Sequence, residues 1–166
     1  MTSIMRFDQW QSSLGTNPSN ISELVPAYAQ FNATAGFTTS GNYYTIPLNE
    51  SYLAKNISLN TSTYQITFSV TGVYKFDVGF RFGTGGDYWT GISLVNAAGT
   101  VVATSFGTGM VTNDPGPAMF NFMYNVTDIS TTYTVKIYRN SSASLAVATP
   151  DASAGKAVVA NIIKVG

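Results

Sequence analysis

The 166-residue chain contains neither cysteine nor histidine. Without cysteine there is no disulfide framework and no thiolate chemistry. Without both, the usual ligands of a zinc site and the base of a nucleophile–histidine triad are missing. Charge is scarce as well. Eight Lys and Arg balance eight Asp and Glu, so charged residues make up 10% of the chain and the formal net charge is zero. About a quarter is usual. Nucleic-acid binding needs clustered cations to meet phosphates, so this composition argues against it. A near-zero net charge also gives little protection against self-association. No stretch approaches the roughly eighteen apolar residues of a membrane span. The opening "MTSIMRFDQWQSSLG" lacks the apolar run of a secretory signal. The expectation is a soluble protein with no cofactor, no membrane partner and no nucleic-acid partner.

Hydrophobic residues are nevertheless 45% of the chain and aromatics 13%. A single domain of this length buries a substantial core. From Asn42 onward the chain reads as strands. "NYYTIPL", "TYQITFSV", "VYKFDVGFRF", "YWTGISLV", "TVVATSF", "AMFNFMYNV", "TYTVKIYR", "SLAVAT" and "AVVANIIKV" are short, β-branched or aromatic, and separated by turn formers. No segment sustains a helical period, so the fold class is all-β, a sandwich, barrel or jelly roll. Turns are expected at Asn96-Ala97-Ala98-Gly99 and Asp114-Pro115-Gly116, and a corner at Gly72.

The segment "VTGVYKFDVGFRF" alternates most strongly. Tyr74, Phe76, Val78, Phe80 and Phe82 share one face, and Lys75, Asp77, Gly79 and Arg81 the other. That is an antiparallel strand with one face in the core, central to its sheet. If the charged face is covered by another subunit, its charges set register there.

Residues 1–35 differ from the rest. Pro18 and Pro26 interrupt them, and Ile4, Phe7, Trp10 and Leu14 fall at helical spacing. They are read as an N-terminal arm, folded back on its own domain or docked onto a neighbouring protein, ahead of a domain over 36–166.

"ITFSVTGVYKF" resembles the signature of the complement C1q/TNF-like jelly-roll family. Ile66, Phe68, Val70, Gly72, Tyr74 and Phe76 hold its places, with Thr71 where a proline is usual. "TTYTVKIYR" and "AVVANIIKVG" resemble the family's last two strands. The resemblance covers about residues 40–166. It implies a ten-stranded jelly-roll sandwich forming a compact homotrimer, with Tyr74, Phe76, Phe80 and Phe82 shared between core and trimer seam. "IMRFDQWQSSLGT" resembles the segment that opens many structural proteins of tailed bacteriophages, which implies a virion protein assembled in a bacterial cytoplasm.

No site chemistry stands out. "FGTGGDYW" lacks the lysine and helix of a phosphate loop and reads as a surface loop. No acidic spacing suits calcium, and nothing pairs two carboxylates for glycosidase work. Asp87, Tyr88 and Trp89 form a possible surface-recognition loop whose rings suit sugar stacking. Two functions follow. The first is a non-enzymatic trimeric decoration (cement) protein of a phage capsid, held to the major capsid protein or other virion proteins by Ile4, Phe7, Trp10 and Leu14. The second is the receptor-binding head of a tail fibre that contacts host surface glycan.

Overall fold

The computed structural model describes residues 25–39, 42–82, 90–107, 117–139, 145–148 and 155–166, with the backbone alone described at Phe82 and Leu145. Thirteen strands are found among them: β1 Tyr28–Ala33, β2 Phe37–Thr39, β3 Tyr43–Thr45, β4 Glu50–Lys55, β5 Ile57–Asn60, β6 Gln65–Phe68, β7 Gly72–Phe82, β8 Thr90–Asn96, β9 Val101–Phe106, β10 Pro117–Val126, β11 Tyr133–Arg139, β12 Leu145–Ala148 and β13 Val158–Lys164. They form two antiparallel sheets. The first has seven strands in the order β2-β12-β7-β13-β1-β4, with β10 on the free side of β7; the second has six, β5-β6-β11-β8-β9, with β3 on β11. The chain is an all-β jelly-roll sandwich, as the alternation required.

β7 is central. β10 lies along one side of it, and β13 and β12 share the other. Tyr74, Phe76, Val78 and Phe80 are buried between the sheets. Phe68 meets Tyr74 at 4.6 Å and Tyr133 at 5.6 Å, while Phe76 stacks on Phe122 at 4.7 Å and Phe80 on Phe120 at 5.4 Å between ring centres. Offset aromatic pairs add roughly 0.5–1.5 kcal/mol each beyond the area they bury. These rings are consumed within one chain. Tyr74, Phe76 and Phe80 are therefore core residues of the single chain.

The two legible corners are present. Gly99 (φ 80°) donates its N–H to the Asn96 carbonyl at 2.9 Å and closes the β8–β9 hairpin. Gly72 has φ 142°, and a side chain there would strike the Gly166 carbonyl and Lys164. Asp114-Pro115-Gly116 lies outside the described residues. One boundary moves. β1, read as part of the arm, is hydrogen-bonded on both sides, to β13 and β4. Its Phe31 is fully buried, so the jelly roll includes Tyr28–Ala33 rather than starting at residue 36.

Candidate assembly face

Directly paired residues on neighbouring strands share a face of the sheet. The register of β10, β7, β13, β1 and β4 therefore lays out the outer face of the first sheet as rows. One row runs Met123, Lys75, Ile163, Tyr28, Lys55. The next is Asn121, Asp77, Asn161, Gln30, Leu53. A third is Met119, Gly79, Val159, Asn32, Glu50. Met119 is 71% exposed, Met123 63% and Ile163 48%. Leu53 on β4 and Val165, just past the end of β13, are exposed as well. Large apolar side chains gathered on one face signal an interaction site, and methionine adapts its shape to a partner.

The charges expected on this face are there. Lys75 Nζ lies 2.9 Å from Asp77 Oδ2, and Arg81 is exposed at the end of β7. Gly79 leaves the middle of its row without a side chain. A hollow of about 460 Å³ opens there, lined by Asp77, Arg81, Met119, Lys156, Val159 and Asn161. The nearest atom to a side chain added at Gly79 is Met119 Sδ at 3.8 Å, so the backbone tolerates one.

β10 gives the face an open border. Among the described residues it pairs only with β7, over all ten of its positions. An unpaired edge of that length invites pairing or packing with another chain.

At the Glu50 end of the face, two hydrogen bonds hold the carboxylate. Lys156 Nζ donates to Oε1 at 2.9 Å and Asn32 Nδ2 to Oε2 at 2.7 Å. These contacts, Lys156 first, hold the Glu50 carboxyl below its ordinary range. Between the sheets, burial pushes the Tyr133 hydroxyl well above its ordinary range, helped by Tyr124. No group of three or more acidic residues suited to a metal occurs among the described residues.

A second feature lies on the other sheet. Register places Tyr43, Tyr138, Gly91 and Phe106 in one row across β3, β11, β8 and β9. Tyr138 meets Tyr43 at 5.0 Å and Phe106 at 5.9 Å between ring centres. Gly91 is required, since a side chain there would come within 2.7 Å of the Ser105 carbonyl.

The arm residues Ile4, Phe7, Trp10 and Leu14 and the loop residues Asp87, Tyr88 and Trp89 lie outside the described residues, as does the side chain of Phe82. The methionines of the face were not singled out from the sequence, although "AMFNFMYNV" carried a signal. Ala118, Phe120, Phe122 and Tyr124 occupy one side of that strand and Met119 and Met123 the other.

No family model matches the chain, and no curated protein matches it in sequence. Its fold does match solved structures. The Eiger TNF of S. frugiperda superposes with a TM-score of 0.59 at 11% identity, over 86% of this chain and 94% of that one. Murine APRIL at pH 5.0 gives a TM-score of 0.56 at 12% identity, over 85% of this chain and all of that one. At such identities the likeness is one of fold: the sandwich is a TNF-like jelly roll.

Proposed function

We propose that the chain is a non-enzymatic structural protein that acts as a homotrimer and decorates a phage capsid. The observation that carries the self-assembly is the outer face of the seven-stranded sheet, apolar at Met119, Met123 and Ile163, hollowed at Gly79 and bordered by the open edge of β10. A trimer that covers this face removes those side chains and that edge from water together. The virion setting is supported by the N-terminal resemblance, the low charge and the absence of cysteine and histidine. In this reading residues 1–16 anchor each subunit to the major capsid protein or another virion protein. Three arms on one trimer multiply a weak contact through effective concentration. Deleting residues 1–16 tests the anchor by co-sedimentation with expanded capsids: the truncated trimer should fail to load, and normal loading refutes it.

One observation favours a second reading, the receptor-binding head of a tail fibre. The row Tyr43, Tyr138, Phe106 lies at the end of the sandwich where β7 stops and β8 starts, on either side of residues 83–89. Exposed aromatic rings there suit stacking on host glycan. Saturable binding on a glycan array, lost in Trp89→Ala and Phe106→Ala, would move the assignment from capsid to fibre.

A further inference from the structure

Asn32 lies on the outward face of β1, yet it is only 1% exposed. Polar neighbours on its own strand, on β4 and on the segment leading into β13 cover it. Glu50 is its direct partner on β4. Gln30 is its neighbour two residues back on the same face. Lys156 is brought alongside by the backbone, because Ala157 donates its N–H to the Ala33 carbonyl at 2.8 Å. As a plain ion pair, Lys156–Glu50 is unremarkable: both side chains are about one-third exposed, and such pairs contribute little. What sets this one apart is the second oxygen of the carboxylate, which is spent on a buried carboxamide.

We infer that Lys156 and Asn32 become joined by an intramolecular amide bond whose formation Glu50 promotes. Each group has a place in that reaction. Lys156 supplies a nitrogen nucleophile. Asn32 Cγ is the electrophile, and Gln30 Nε2 donates to its Oδ1 at 3.4 Å, where negative charge develops as the carbonyl is attacked. Glu50 touches both the incoming nitrogen at 2.9 Å and the outgoing one at 2.7 Å, the position required of a group that takes a proton from one and gives it to the other. Glu50 accepts a proton from the Lys156 ammonium. The freed lone pair attacks Cγ, and a C–N bond forms. Glu50 passes its proton to Nδ2 and takes the second proton from Nζ; the Cγ–Nδ2 bond then breaks, and the departing ammonia accepts that second proton from Glu50 and leaves as ammonium. One C–N bond replaces another, nothing is oxidised, and no co-reactant is needed. Pairing of β1 with β4 and the Ala157–Ala33 hydrogen bond hold the three groups together and remove the entropic cost of their encounter. The Glu50 carboxyl is a weak base here, so the reaction is slow. It runs once per molecule, and loss of ammonia makes it irreversible.

The test is intact-mass spectrometry of the full chain, followed by tryptic mapping. The expected mass is that of the sequence less one ammonia. A branched peptide should join residues 7–55 to residues 140–164, with cleavage at Lys156 blocked. Lys156→Arg keeps the positive charge and Glu50→Gln keeps a hydrogen-bonding side chain, and both should show the full mass. Should Glu50→Gln fail to fold, Lys156→Arg and the branched peptide decide. A wild-type chain of full mass overturns the proposal. So does an ammonia deficit that persists in Lys156→Arg, since that marks a succinimide at Asn32 instead.

Discussion

Met123→Lys is the substitution that most directly probes the assembly face. Complete burial of a methionine side chain is worth about 1.5–3 kcal/mol. Met123 is 63% exposed in the single chain, so a neighbouring subunit that covers the remainder gains about 1–2 kcal/mol per copy. Over three copies the loss is about 3–6 kcal/mol, a fall of about 10²–10⁴ in the trimer assembly constant. The new ammonium also lies directly across from Lys75, and like charges in that position repel. That repulsion acts within the monomer, where the change costs about 1 kcal/mol or less, because the site is exposed and lysine suits an edge strand. Sedimentation velocity over a concentration series should show trimer for the wild type and monomer for the variant at the same loading, with nearly equal melting temperatures. If the variant assembles with unchanged concentration dependence, this face is not the seam.

Two further outcomes follow from the core and the turns. Phe76→Ala removes a fully buried ring stacked on Phe122 and should cost about 3–5 kcal/mol, seen as a large drop in melting temperature; a change under about 1 kcal/mol would contradict its place at the centre of the sandwich. Asp128 accepts from the Ser130 N–H at 2.8 Å, the Ser130 hydroxyl at 2.6 Å and the Thr131 hydroxyl at 3.0 Å, which hold its carboxyl below the ordinary value of 3.8. Its folded value is lower than its unfolded one, so its contribution is complete above the unfolded value and is lost as pH falls through the folded one. The gap in melting temperature between wild type and Asp128→Asn should therefore narrow as pH drops from about 6 to about 2, and a gap independent of pH refutes the assignment.

Strands with a strict period of two were legible. All nine segments picked out by alternation and β-branched content contain a strand, and the buried set Tyr74, Phe76, Val78, Phe80 was explicit in the spacing. Four strands were not legible, for distinct reasons. β4 "ESYLAK" is an edge strand with no buried residue, so its sequence has no alternation to display. β2 and β5 are three and four residues long, too short to show a period. β1 mixes Gln30 and Asn32 into its outward face, because there Asn32 donates to Glu50 and Gln30 to Asn32. The assembly face was half legible. Lys75, Asp77 and Arg81 marked its β7 row, but the methionines joined them only through pairing of β10 with β7, which no local pattern encodes. The Asn32–Glu50–Lys156 group draws on segments separated by more than a hundred positions in sequence, and a chain read locally holds no trace of it.

The placement of β13 bears on how the molecule comes into being. It is not an edge addition: Val158–Lys164 fills the slot between β7 and β1 in the middle of the seven-stranded sheet. During synthesis β1 emerges early and then waits, one side unpaired, while some 120 further residues are made. The aromatic wall of β7 waits with it, its neighbours Ala160 and Ile162 on the same face not yet in place. Non-local pairing of this kind folds slowly, and the waiting intermediate is prone to aggregate. Closure of the sandwich is therefore a late, single event triggered by one seven-residue strand. A ribosome-bound chain lacking that strand should remain open to proteases that the finished molecule resists.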